Sequence, residues 1–182
     1  MALPLLSTFK SRLANGGGSA RPNLFKVSIK NTPKTALSIT AEEQILIKAT
    51  SIPESTIAVQ PINYGGRPIN YSGFRTYANW STTIMNDEDF SIRNRIQEWM
   101  RQISGRLDGQ RNKTHGAYVN AAGGYNEGVG TVIQVNKDGS DGESYTMKNL
   151  WPTSIASMPV DWSVDGMMSF DVEWCYDSWT HN

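Results

Sequence analysis

Residues 78–105 have the sequence ANWSTTIMNDEDFSIRNRIQEWMRQISG, and its pattern changes once, at Asn86. Before Asn86, the side chains of Trp80, Thr82 and Ile84 fall on alternate positions. A period of two residues with aromatic and β-branched side chains is typical of a half-buried β-strand. This half of the stretch therefore predicts a strand that packs one face on a core.

After Asn86 the apolar residues recur with the spacing of a helix. Three acidic residues, 87–89, come first, where the free N–H groups and the dipole of a helix favour negative charge. Apolar residues then recur three or four positions apart: Ile92, Ile96, Trp99 and Ile103. That spacing gives one apolar stripe, so we predict an α-helix over about residues 87–104 whose stripe docks on a sheet.

The rest of the chain predicts strands. Apolar alternation occurs in the segments 25–29, 45–49, 129–136, 143–151 and 170–176, and weaker strand signals lie at 115–120 and 154–163. Because turn sequences separate these segments, we predict a mainly β fold of two packed antiparallel sheets, a sandwich or barrel, with one flanking helix. We expect residues 31–43, which are polar, to form an exposed loop.

The chain is short enough for one domain. Residues 1–20 end in a Gly-rich run, which is typical of a flexible connection. We therefore expect residues 1–20 to be a flexible arm, which could include a short helix at Leu6–Leu13, and residues 21–179 to be a single β-sandwich domain.

Residues 51–73 combine apolar and turn-forming side chains. They contain three prolines and the pair Gly65-Gly66, which keep a segment out of the centre of a sheet and favour a tight turn. Apolar residues are interspersed among them: Ile57, Val59, Ile62, Ile69 and Tyr71. Contiguous exposed apolar groups usually mark interaction sites. We predict a projecting, extended hairpin over about residues 51–73 whose apolar residues serve assembly.

Charge is balanced overall but divided along the chain. The sequence has 17 basic and 17 acidic side chains, a balance that argues against a nucleic-acid-binding protein. Residues 1–113 carry 15 basic and 8 acidic side chains, whereas residues 114–182 carry 2 and 9. One interpretation is a polarised particle whose basic side meets the acidic side of a neighbouring copy. The other is a scatter of both signs over one solvated surface.

The sequence offers little catalytic chemistry. Two histidines, His115 and His181, and the single Cys175 do not form a metal-binding pattern. Asp171 and Glu173 share one strand face and resemble a glycosidase carboxylate pair, but alternate polar positions on a strand with one solvated face are the commoner explanation. We therefore predict no catalytic residue, cofactor or metal. No run is long enough to span a membrane.

Several segments together resemble one family. They are ARPNLFKV at 20–27, KATSIP at 48–53, WSTTIMNDE at 80–88 and LWPT at 150–153, with Asp161-Trp162 and the motif YDSW at 176–179. In this order they are similar to the tail tube protein of contractile-tailed bacteriophages. The resemblance covers most of residues 20–179 and is looser at 31–43 and 110–130.

The resemblance implies a structural virion protein without enzymatic activity. Six copies would form a ring in which strands of all subunits join one barrel around a channel, and the rings would stack into a tube. The implied partners are further copies of the chain, the contractile sheath protein, the tape-measure protein, and baseplate and tail-terminator proteins. Such a tube, assembled in the host cytoplasm, conducts DNA during genome ejection without binding it specifically.

Because lysine or arginine in the channel would retain phosphates, we expect a neutral to acidic lumen, with Asp171 and Glu173 as candidates. Two other functions fit the same residues. One is the inner tube of a phage-derived injection machine or of type VI secretion, which conducts an effector protein. The other is a monomeric sugar-binding or hydrolytic β-sandwich that uses these two carboxylates.

Overall fold

A computed structural model describes residues 6–15, 20–31, 35–104, 128–163 and 165–182. Its helices are α1 (Leu6–Asn15) and α2 (Ser91–Ser104), and two 3-10 turns span Thr35–Leu37 and Glu43–Leu46. The strands are β1 (Phe25–Asn31), β2 (Ile47–Thr50), β3 (Ser55–Tyr64), β4 (Arg67–Tyr77), β5 (Trp80–Met85), β6 (Gly128–Val135), β7 (Asp141–Ile155), β8 (Ser169–Cys175) and β9 (Ser178–His181). The prediction of a mainly β protein is confirmed.

Seven strands form one antiparallel sheet in the order β1-β6-β7-β8-β5-β2, with β9 paired to β7. The long strand β7 joins the two halves of this sheet, because its first part pairs with β6 and β9 and its last part pairs with β8. Between the two parts, Asn149 has a φ of 57°, an uncommon value for a residue other than glycine. Strands β3 and β4 pair with each other in a separate two-stranded sheet.

Three tryptophans lie at the centre of the core. Trp80 on β5, Trp174 on β8 and Trp99 on α2 are each at most 1% exposed. The Trp174 ring lies 6.3 Å from that of Trp80 and 5.7 Å from that of Trp99. Trp174 Nε1 donates to Thr82 Oγ1 at 2.9 Å, and Trp80 Nε1 donates to the Ser51 carbonyl at 2.8 Å. The cluster therefore joins the helix to both strands and leaves these two indole N–H groups satisfied.

Strand β6 makes room for these rings with glycine. Gly128 and Gly130 are both buried. A Cβ atom at Gly128 would lie 2.2 Å from the carbonyl oxygen of Leu150 and 2.7 Å from the Trp99 ring, so a larger residue requires movement. The branched residues whose alternation predicted this strand lie on its other, half-exposed face: Val129, Thr131, Ile133 and Val135.

Helix α2 begins later than predicted, at Ser91. Phe90 has a φ of 54°, and its N–H donates to the Asp87 carbonyl at 3.1 Å, which closes a turn. The Asp87 carboxylate accepts the Ser91 N–H at 2.9 Å and also the Ser91 hydroxyl. Asp87 thus reaches the helix N-terminus from a preceding turn, and the predicted start at 87 was wrong because Phe90 leaves the helical conformation. The predicted stripe packs on the core, with Ile92, Ile96 and Trp99 buried and Ile103 half-buried.

The segment predicted as an exposed loop contributes to the core instead. Within its described part, residues 35–43, Leu37 and Ile39 are buried. The Ile39 N–H donates to the Ile29 carbonyl of β1 at 3.1 Å. The prediction of an exposed loop from the polar composition was wrong, because the burial of two apolar side chains is enough to hold this segment on the edge of the sheet.

An ion pair connects the same segment to α2. Arg95 Nη1 contacts the Glu43 carboxylate and also donates to the Ser38 carbonyl at 3.0 Å. Thr40 donates its backbone N–H and its hydroxyl to Glu43, both at 2.8 Å. Burial raises the pKa of Glu43, but the hydrogen bonds from Arg95 and Thr40 outweigh it and lower that pKa to about 2.

Three further predictions concern the secondary structure. Strand β7 ends at Ile155, so the strand predicted over 154–163 was wrong in its limits. Helix α1 lies in the N-terminal arm, where the sequence allowed a short helix at Leu6–Leu13. The strand predicted at 115–120 lies outside the described residues.

Replacing Trp99 by alanine is expected to lower the free energy of unfolding by roughly 3–5 kcal/mol, because it leaves a large cavity in the core. The measurement is the midpoint of chemical denaturation. Trp162→Ala is the matched control: Trp162 is fully exposed, and a surface change of this kind shifts stability by about 0.5 kcal/mol or less. Equal midpoints for parent and Trp99→Ala would contradict the core role.

Replacing Glu43 by glutamine is expected to cost about 1.5–3 kcal/mol at pH 7, since a charge-assisted hydrogen-bond network is lost. The folded state lowers the pKa of Glu43, so its contribution is complete above its ordinary pKa of 4.5 and is lost as the pH falls toward about 2. Unfolding free energies of parent and variant at pH 7, 4 and 3 should therefore converge. A difference that stays constant over this range, or an equal effect of Glu42→Gln at the exposed neighbour, argues against the ion pair.

Candidate assembly surfaces

Strands β3 and β4 form a hairpin that extends from the body of the protein. They are joined at Gly65 and Gly66, whose φ values of 59° and 76° suit a two-residue turn of type I′. The hairpin therefore spans residues 55–77, and the predicted limits of 51–73 were too early at both ends. Gly73, the expected end, lies inside β4, where the register shifts opposite the step from Ile57 to Val59.

The hairpin leaves large apolar side chains in solvent. Every residue of β3 is exposed, and the two strands make extensive contacts only with each other among the described elements. The five predicted assembly residues are between 45% and 65% exposed: Ile57, Val59, Ile62, Ile69 and Tyr71. Tyr64 and Phe74 are exposed in the same way and were not predicted. Phe74 was missed because it lies beyond the predicted end of the hairpin.

Apolar residues occupy both faces of the hairpin. Residues directly opposite each other share a face, and successive residues alternate between faces. The register pairs Ile62 with Ile69 and, two positions along, Gln60 with Tyr71. The opposite face of β3 carries Ile57, Val59 and Pro61. A two-stranded hairpin is at best marginally stable alone in water, so this one is suited to lie between or against other protein surfaces.

The base of the hairpin is attached to the body. The Glu54 carbonyl accepts the Tyr176 hydroxyl and the Trp179 indole N–H, both at 3.4 Å. The ring of Tyr77, the last residue of β4, lies 5.9 Å from the ring of Tyr176. These contacts place the hairpin base beside the junction of β8 and β9.

Strands β1 and β2 lie at the two ends of the path β1-β6-β7-β8-β5-β2, and these two edges differ. At the β1 edge, the Asn31 N–H donates to Ser38 Oγ at 2.8 Å, and Ile39 covers the neighbouring position. At the β2 edge, the described residues supply no further strand beyond Ile47–Thr50. An uncovered strand edge can pair with a strand of another chain, so β2 is the second candidate assembly surface.

Asp171 and Glu173 lie exposed on β8, on the face opposite Trp174. They are paired with Thr83 and Ser81 of β5, and the Thr83 hydroxyl donates to Asp171 at 2.6 Å. The sequences of β5 and β8 contain no lysine or arginine. The outer face of these two strands is therefore neutral to acidic.

A further exposed surface follows β7, at residues 156–163 and 165–168, which we call the acidic loop. Val160, Trp162 and Met167 are each at least 85% exposed. Asp161 accepts the Ser163 N–H at 2.9 Å and its hydroxyl at 2.8 Å, and these two bonds lower the pKa of Asp161. The sequence did not predict this surface, because its pattern over residues 154–163 indicated a strand. The turn residues around Trp162, among them Pro159 and the pair Asp165-Gly166, were the available signal.

The described residues contain no cluster of three or more His, Cys, Asp or Glu side chains that suits a metal ion. Burial raises the pKa of the half-buried Cys175 thiol, and the charge of Asp177 acts in the same direction, so little reactive thiolate forms near neutral pH. Within the described part of the chain, no helix has the length and apolar character needed to cross a membrane. Exposed apolar surfaces such as the hairpin and the acidic loop are typical of protein-binding sites.

Comparison with known proteins agrees with this description. A family profile described as "Phage tail tube protein" matches residues 20–182. The tail tube protein gp19 of Enterobacteria phage T4 is 28% identical over 171 residues, which cover 93% of this chain and 96% of gp19. A tail tube protein of Serratia phage KSP90 is 21% identical over 160 residues, which cover 87% of this chain and 85% of that protein. Among solved structures, the tube-terminating cap of the anti-feeding prophage has a TM-score of 0.64 at 14% identity, with 100% of this chain and 94% of that chain covered.

Proposed function

The chain belongs to the phage tail tube protein family, and we propose that it is the repeating subunit of a tube of stacked hexameric rings within a contractile tail. It is accordingly a structural component of the virion tail. The observation that carries the finer proposal is the hairpin. It is folded as a pair of strands, its base is fixed to the body, and apolar side chains on both of its faces remain in solvent.

Ring formation is supported by the open edge of β2. A strand of the adjacent subunit that pairs with β2 would satisfy its backbone groups, and six such contacts would close a barrel without free edges. Closure also removes the edge-to-edge aggregation that a lone sandwich invites. Ring closure requires this contact to be heterologous, because a β2 edge that paired with the β2 edge of another copy would form a closed dimer.

The outer face of β5 and β8 is our candidate for the wall of the channel. DNA must move through the channel during ejection, and a wall rich in lysine or arginine would bind its phosphates and slow it. The exposed carboxylates of Asp171 and Glu173, beside the hydroxyls of Ser81 and Thr83, provide a wall that repels the backbone.

The remaining partners follow from this placement. We propose that the tube encloses the tape-measure protein before ejection, is surrounded by the sheath protein, and ends at baseplate and tail-terminator proteins. The subunit performs no catalysis in this role. The alternative cargo is a protein effector, as in a contractile injection system. One chain in the structure of the sheath–tube complex of an extracellular contractile injection system is similar in fold, with a TM-score of 0.60 at 14% identity and 99% of both chains covered.

Replacing residues 57–69 with a short Gly/Ser linker is expected to leave a folded, soluble subunit that forms no long tubes. The reason is that the two strands of the hairpin make their extensive contacts with each other and the hairpin is attached to the body at its base, so its loss removes assembly contacts and few folding contacts. Circular dichroism and size-exclusion chromatography measure folding, and negative-stain electron microscopy measures tubes.

The control replaces the exposed turn 137–140 in the same way and should polymerise like the parent. Tubes formed by the hairpin variant would show that another element couples the subunits. A variant that does not fold would assign the hairpin to the subunit's own core.

The double substitution Asp171→Lys with Glu173→Lys is expected to preserve assembly but to make the tubes retain DNA. Co-sedimentation of a labelled single-stranded oligonucleotide with tubes measures this, and retention should fall steeply as salt increases. The control is Asp138→Lys with Glu143→Lys, which makes the same charge change at the β6–β7 turn. Equal retention of DNA by tubes of both variants, or no retention by the first, would show that these carboxylates do not line the channel.

A further inference from the structure

Pairs of aspartate followed by glycine occur four times in the sequence, and three of these pairs lie within the described residues. Two of the three are at the connection between β6 and β7, Asp138-Gly139 and Asp141-Gly142, and the third is Asp165-Gly166 in the acidic loop. An Asp-Gly pair is chemically reactive, because glycine has no Cβ atom to shield its own backbone nitrogen. The structure gives the three pairs different surroundings.

The reaction is a rearrangement that needs no enzyme. The backbone nitrogen of the glycine attacks Cγ of the aspartate and forms a C–N bond, and the carboxyl oxygen leaves as water together with the amide proton. A second water molecule opens the resulting imide ring. Attack of this water at Cγ restores aspartate, whereas attack at the main-chain carbonyl carbon gives isoaspartate, in which the backbone runs through Cβ and Cγ. No atom is oxidised or reduced.

At Asp138-Gly139 the structure opposes both parts of the attack. The Gly139 N–H donates to the Asn136 carbonyl at 3.0 Å, so the attacking nitrogen is already engaged. The Asp138 carboxylate accepts the Ser140 hydroxyl at 2.6 Å and the Ser140 N–H at 3.0 Å. These bonds lower the pKa of Asp138. A smaller fraction of the carboxyl group is therefore neutral, and the neutral form is the one that loses its oxygen readily.

At Asp141-Gly142 the opposition comes from the sheet. Both residues belong to β7, where Asp141 pairs with Val135 and forms an ion pair with Lys26 at 2.6 Å. Gly142 is closely packed, because a Cβ atom there would lie 2.9 Å from the Gln134 carbonyl oxygen. The imide ring holds the aspartate in a backbone conformation different from that of a strand. Its formation would therefore disrupt the pairing of β6 with β7.

The surroundings of Asp165-Gly166 are open. The acidic loop leads directly into Ser169, the first residue of β8, whereas Tyr176, just beyond the other end of β8, donates to the hairpin base. Both residues of the pair are exposed and lie outside helices and strands, and a Cβ atom at Gly166 would meet no atom within 4 Å. Within the described part of the chain, the Gly166 N–H and the Asp165 carboxylate make no hydrogen bond.

We infer that Asp165 is a site of spontaneous isoaspartate formation in the folded protein, and that the fold protects Asp138 and Asp141. The product carries an additional backbone methylene three positions after the exposed Trp162, so it alters the acidic loop covalently. The inference concerns the folded subunit and does not depend on the proposed function.

The test incubates the full chain at pH 7, below its unfolding temperature, and then digests the denatured protein with endoproteinase Asp-N. This protease cleaves before aspartate but not before isoaspartate, so mass spectrometry should detect an uncleaved peptide of residues 161–170. Isoaspartate should accumulate at residue 165 about tenfold faster than at residue 138, since attack by Gly139 first requires the loss of a hydrogen bond. Equal or faster accumulation at residue 138 or 141 overturns the inference.

The same incubation in denaturant is the control for local sequence, and there the three rates should become similar. A ranking that is unchanged in the denatured chain overturns the protective role of the fold. Two variants test the contacts. Gly166→Ala, which the open space at this position accommodates, should suppress the reaction at residue 165. Ser140→Ala removes the hydroxyl donor and should accelerate the reaction at residue 138. No acceleration would show that this bond does not protect Asp138.

Discussion

The packing of Trp174 between Trp80 and Trp99 is the interaction on which the rest of the structure depends. It brings together two neighbouring strands and a helix, and it fills the space between the two halves of the sheet so completely that β6 presents Gly128 to the ring of Trp99. The same cluster reaches outward, because the Trp80 indole N–H holds the Ser51 carbonyl, just before the hairpin begins. Core packing thus determines where the hairpin leaves the body.

A division follows between residues that fold the subunit and residues that join subunits. The core uses its large aromatic side chains internally, whereas the hairpin and the acidic loop keep theirs in solvent. Exposed apolar surface of this extent is unfavourable for a monomer, and its burial between copies would contribute favourable free energy to the assembly that we propose. Because the two surfaces lie on different parts of the chain, the contact they suit is heterologous, and such contacts build rings or filaments.

The charge division along the sequence is only partly available for assembly. Some basic residues of the N-terminal half are used within the subunit, as Arg95 is with Glu43 and Lys26 is with Asp141. The arginines of the hairpin and the carboxylates of the acidic loop remain exposed at opposite ends of β8. These two short segments place opposite charges at opposite ends of β8, which is what the polarised interpretation expects.

Local patterns in the sequence were sufficient to predict the elements whose conformation is determined by neighbouring residues. The period of two over residues 80–85 and 170–176, the helical stripe that includes Trp99, and the Gly65-Gly66 turn predicted two strands, a helix and a hairpin, because side-chain period and turn conformation are properties of neighbouring residues. Only the tertiary structure decided that β6 buries its glycines, that Leu37 and Ile39 leave solvent, and that the hairpin and the acidic loop lie at opposite ends. These outcomes depend on which distant residues fill the same space, and a one-dimensional pattern does not contain that information.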